Sequence, residues 1–145
     1  MSIYEDIAAI VHPMPALPDA SDDLYNEVRH QVHASREELA FKLEAASDSD
    51  PEQFEPLLSA IDSARRRKEW AEVEIRRLVA YGREFTRPRP YKLADLAGAS
   101  GMSISGVRTA YGLHDVADVE EATGRKPREW RAPADDDPPA TGNEQ

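Results

Sequence analysis

At 145 residues the chain has room for one domain, or for one small domain with a helical appendage, and the absence of cysteine excludes disulfides, thiolate zinc sites and cysteine nucleophiles. Its 40% hydrophobic content supports a small core, and no apolar run approaches the roughly 20 residues of a membrane span. The net charge of −10 looks adverse to any polyanionic ligand.

That charge is unevenly distributed. Residues 1–62 hold fourteen acidic side chains against three basic ones, residues 63–131 fifteen basic against ten acidic, and residues 132–145 four acids and no base. Salt confines the attraction of a phosphate to about 8–10 Å, so a basic half can bind an anion while an acidic half faces elsewhere. The opening stretch MSIYEDIAAIVHP carries acids and no early base, unlike a secretory signal, and the expected address is the cytoplasm, at the nucleoid.

Residues 2–11 read as a short amphipathic helix with Ile3, Ile7 and Ile10 or Val11 on one side. Three prolines in HPMPALPDAS then end it, so that 1–18 form an N-terminal segment and connector. Asp19 or Ser21 can cap the next helix, which runs to about Ala46, with Tyr25, Val28, Val32, Leu39 and Ala46 at spacings near 3.5 residues. After the turn SDSDPEQ, a second long helix starts at Pro51 or Pro56 and continues to about Phe85. Its apolar seam is Phe54, Leu57, Ile61, Ala64, Ala71, Ile75 and Leu78. Residues 19–85 are thus an acidic antiparallel hairpin whose exposed stripe calls for a second copy. The expected dimer interface is Val28, Val32, Leu39, Leu57, Ile61, Ile75 and Leu78. RRRKEW (65–70) reads as a solvated or subunit-bridging face, and Trp70 and Trp130 as packing anchors.

Residues 86–131 open with TRPRP, a stiff extended connector, followed by short helices at about 92–99, 104–111 and 115–123, with Gly124 as the stop. Two short helices crossing sharply need a small residue at their contact, a turn residue that tolerates positive φ, and a branched apolar residue facing back. Ala97, Gly101 and Val107 fill those positions. Leu93, Leu96, Met102 and Ala110 complete the core, and Ser103 caps the second helix. The tail at 132–145 has almost no apolar content and reads as disordered.

The stretch LADLAGASGMSISGVRTAY resembles the helix-turn-helix of bacterial repressors and sigma-factor-like DNA-binding domains. The block from about Arg76 to Arg128 resembles small helix-turn-helix regulators of actinobacteria. The resemblance implies a recognition helix at about 103–111, with Ser103, Ile104, Ser105, Arg108 and Thr109 facing the major groove. Gly106 inside that helix and Lys92 at a position where Ser or Thr is usual depart from the pattern. Arg108 suits a bidentate bond to guanine, the hydroxyls suit phosphates or base edges, and Ile104 suits a thymine methyl. Arg87 and Arg89 suit an arm, Lys92 is a further expected DNA contact, and Arg125, Lys126 and Arg128 suit a backbone clamp.

His30 and His33, with Glu27 and Glu37, share a helical face without further ligands, so no metal or other cofactor is expected. His114 beside Asp115 has no nucleophile to serve, and no paired-carboxylate spacing or phosphate-cradling glycine loop stands out, so no enzyme is expected. The expected protein is all-α and binds double-stranded DNA as a homodimeric regulator. The alternative is a protein-interaction module, antitoxin-like or an adaptor of the transcription machinery, that uses the acidic hairpin.

Overall fold

The computed structural model describes residues 2–128, and these form six helices: α1 (Ile3–Val11), α2 (Asp22–Ser49), α3 (Pro56–Glu84), α4 (Leu93–Ser100), α5 (Ile104–Thr109) and α6 (Leu113–Thr123). The fold is all-α, with no strand among the described residues. The tail expected to be disordered, and Trp130, lie outside them. No described helix is long and apolar enough to cross a membrane. The chain divides into two compact units, Met1–Arg67 and Lys68–Gln145. The division falls inside α3, whereas the sequence suggests the proline-rich connector after residue 85.

In the N-terminal unit, Ser2 caps α1 by accepting from the Glu5 N–H while the Glu5 carboxylate accepts from the Ser2 N–H at 2.8 Å. The Ser2 N–H, and the Ser2 hydroxyl at 3.3 Å, both donate to the Glu5 carboxylate and hold it below its usual range. Ser21 caps α2 by accepting from the Leu24 N–H at 3.3 Å. The helix that lies closest along α2 is α1, a pairing the periodicity of α2 does not reveal. Ile7, Ala8 and Leu43 are the unit's buried apolar side chains, and the Arg36 Nε–H donates to the His12 carbonyl at 2.8 Å where α1 ends. Leu39 and Leu43 of α2 share a cleft with Val11 of α1 and Ala60 of α3.

In the C-terminal unit, the last turns of α3 are the central element. Val79 packs with Ala97 of α4 and Val107 of α5, and Ile75, Leu93, Leu96 and Met102 close around them. Ala80, the next residue, packs with Phe85 and with Val116 and Val119 of α6. Successive residues on a helix point about 100° apart, so Val79 and Ala80 serve two different neighbours. The expected core residues of the α4–α5 pair, apart from Ala110, pack together, but on α3. Ile75, expected at a dimer seam, is therefore committed to this core.

Gly82 marks a close approach, since a Cβ there would sit 3.3 Å from Leu96 Cδ2, and the Gly82 carbonyl accepts the Tyr91 N–H at 2.9 Å. Residues 86–92 fold back on the end of α3 and do not run extended as expected. The Thr86 hydroxyl lies 2.7 Å from the Gly82 carbonyl and 3.2 Å from that of Arg89, and Arg83 donates to the Tyr91 carbonyl at 2.7 Å.

Glu84 is only 2% exposed, and its carboxylate accepts the Tyr111 hydroxyl at 2.7 Å, joining α3 to the segment that leaves α5. A polar group buried at that depth costs free energy unless it is hydrogen-bonded. Replacing Tyr111→Phe is expected to lower stability by about 1–3 kcal/mol in urea denaturation, because it removes a donor from a buried carboxylate.

Candidate nucleic-acid interface

The α4–α5 pair is set by local signals. α4 ends at Gly101, whose φ of 74° lies in the left-handed region that glycine occupies without strain. Ser103 has extended backbone, and its Oγ accepts the Gly106 N–H at 2.9 Å, which starts α5. Lys92 precedes α4 without any side-chain cap, as its residue type implies. Val107 is 0% exposed and fixes the rotation of α5 against α3 and α4. With Val107 turned inward, Ile104, Ser105, Arg108 and Thr109 are exposed. Gly106 holds close quarters, because a Cβ there would lie 3.1 Å from Ser103 Oγ, the capping atom itself.

The residues singled out from the sequence differ in how far the fold already engages them. Ser105 and Arg108 are exposed, and Arg108 makes no hydrogen bond or ion pair among the described residues. Ser103 and Thr109 are exposed but engaged: Ser103 is the cap, and the Thr109 hydroxyl turns back to the Ser105 carbonyl at 3.3 Å. Arg87, Arg89 and Lys92 are exposed on the segment folded at the end of α3, and Arg125 is exposed just beyond α6.

Two basic residues after α6 are already used. Lys126 donates to Glu120 at 2.6 Å, and that hydrogen bond raises the Lys126 ammonium above its usual range. Arg128 donates from its guanidinium to the Thr86 carbonyl and from its backbone N–H to the Glu84 carbonyl. These bonds close the fold around residues 84–86.

α6 begins two residues before its expected start. The Asp115 carboxylate accepts the Gly112 N–H at 3.1 Å, so this aspartate lies inside the first turn. Arg76 of α3 lies 3.7 Å from Asp115, and Arg77 lies 3.2 Å from Asp118, which also meets His114 at 3.3 Å. The two arginine–aspartate pairs place α6 against α3, and sequence spacing alone does not suggest them.

The other candidates stay dispersed. His30 and His33 are exposed, and no three His, Asp or Glu side chains gather in a way that could hold a metal ion among the described residues. In RRRKEW, Arg65 and Arg66 both pair with Asp62, at 2.7 and 3.0 Å. Trp70, expected as a packing anchor, is instead 68% exposed. Of the expected dimer seam, Val28, Val32 and Leu39 are half-buried, while Leu57, Ile61 and Leu78 are exposed. No protein-family model, curated protein or solved structure matches this chain.

Removing the α5 cap and removing its outward arginine should have different consequences for stability. Ser103→Ala is expected to destabilise the protein by about 1 kcal/mol in thermal or urea unfolding. Arg108→Ala should leave stability within about 0.5 kcal/mol of the parent, because the side chain is exposed and makes no hydrogen bond or ion pair among the described residues.

Proposed function

We propose that this protein is a sequence-specific binder of double-stranded DNA that acts as a homodimeric transcriptional regulator. The observation that carries the reading is the rotation of α5. Val107 is completely buried, and the side chains turned outward are a free arginine, a serine, a threonine and an isoleucine. A helix offering that set can enter the major groove, where arginine bonds guanine O6 and N7 and an aliphatic group meets the thymine methyl. Arg87, Arg89, Lys92 and Arg125 are exposed and supply further positive charge, which suits phosphate contacts. The modest basic excess of residues 63–131 favours two copies acting together, because each phosphate neutralised adds to affinity by releasing counterions. Cytoplasmic, nucleoid-associated placement follows from this reading.

A second reading has its own supporting observation. In the acidic N-terminal unit, Phe41 is 73% exposed beside a groove that also involves Tyr4, Glu37 and Glu44. An exposed aromatic among carboxylates suits a partner with a basic, partly apolar surface, as an adaptor or antitoxin would meet.

Selection of randomised duplexes by the full chain, at fixed salt, separates the two. The expected result is an enriched motif with two-fold symmetry. Arg108→Ala should relax one position of each half-site at a cost of about 1–3 kcal/mol, whereas Lys92→Ala should weaken all sequences alike and reduce the salt dependence. No enrichment would overturn the DNA reading and favour the protein-partner one.

A further inference from the structure

We propose that the groove between α3 and α6 is the self-association face of this protein, filled by α3 of a second copy in antiparallel register. The inference rests on the homodimeric part of the reading above and names the surface that carries it. The groove encloses about 380 Å³ and is lined by Trp70, Val73, Leu78 and Tyr81 of α3 and by Val119 and Ala122 of α6. Trp70 and Leu78 are 68% and 61% exposed, so two large apolar side chains lie open on this face.

The sequence along this face is complementary to itself. Trp70, Glu74, Arg77 and Tyr81 recur at steps of four, three and four, the alternation that keeps a seam facing a partner helix. A two-fold axis between Ile75 and Arg76 would set Trp70 against the partner's Tyr81 and Val73 against the partner's Leu78. The same axis sets Glu74 against the partner's Arg77, and symmetry makes that pair twice. Glu74 is exposed, and Arg77, paired through Nη2 with Asp118, keeps further N–H donors for a second carboxylate. Shifting the axis to Glu74 would oppose two carboxylates, so charge disfavours that register. Ile75 and Val79 are turned into the core with α4 and α5, so pairing through the groove leaves Ser105 and Arg108 exposed on each copy.

The test is sedimentation of the full-length chain and of three variants, with circular dichroism to check that each remains helical. The wild type is expected to be a dimer. Glu74→Arg faces the partner's Arg77 with a like charge and Arg77→Glu faces the partner's Glu74 with one, so each alone should be monomeric. Mixed together they restore both pairs and should form a heterodimer. Trp70→Ala should raise the dimer dissociation constant at least about tenfold. A wild type that stays monomeric would overturn both this face and the homodimer, leaving a single-copy DNA reader to be judged by duplex selection. A dimer indifferent to Glu74→Arg and Trp70→Ala would overturn this face alone. Should Arg77→Glu lose its fold with the Asp118 pair, Glu74→Arg and Trp70→Ala still decide the matter.

Discussion

Two neighbouring residues of α3, Val79 and Ala80, hold the C-terminal unit together. One is buried against α4 and α5, the other against α6 and Phe85. Since neither α4, with eight residues, nor α5, with six, could be stable alone, their order comes from burial against this one helix. Ala80 is wholly buried, and Gly82 admits Leu96 and Tyr91 to near contact distance. Small residues here set how closely the short helices approach, and a larger side chain at either position would push them outward. Glu84 adds a polar specification to the same region. A buried carboxylate that accepts the Tyr111 hydroxyl fixes where the chain must pass between α5 and α6.

This arrangement also explains why α5 can be so short and still present defined side chains. Its start is fixed by Ser103, its rotation by Val107 and its end by the passage to Tyr111. Of its exposed polar side chains, only those of Ser105 and Arg108 are left without a hydrogen bond among the described residues. Gly106 looks like a flaw by helix propensity, yet a Cβ there would crowd the capping hydroxyl. The glycine gives up some helix propensity and leaves room for the cap.

Local chemistry makes much of this legible in the amino-acid sequence. Ser21, Gly101, Ser103 and Gly124 all act where their residue types indicate, because caps and left-handed glycines depend on atoms only a few residues away. Pairing between distant segments leaves no such mark. Glu84 and Tyr111 are 27 positions apart, and Arg77 and Asp118 are 41 apart, with nothing in either motif to link them. The apolar seam of α3 reads as one continuous stripe. Periodicity reveals that a face is apolar without revealing which neighbour covers it. Ile75 is claimed by the core while Leu78, one turn later, is left outside. Asp115 resembles a helix start for a related reason: a carboxylate that accepts from a preceding N–H sits inside the first turn, not before it.

The apolar side chains that remain exposed are a consequence of size. A unit of some 60–70 residues buries a smaller fraction of its surface than a larger domain does, so short helices cannot cover every apolar residue a long one carries. In the C-terminal unit that remainder includes Trp70 and Leu78 beside one groove, with Tyr91 and Leu113 elsewhere, and in the N-terminal unit it includes Phe41 and Ile10. Scattered exposed leucines are ordinary on a protein surface, but an exposed tryptophan at the mouth of an apolar groove is not. Charge gives the two remainders different characters. Around Phe41 lie Glu37 and Glu44, which suit a basic partner. Along α3, Glu74 and Arg77 lie one turn apart on the same face, a pattern whose complement, read in the opposite direction, is itself.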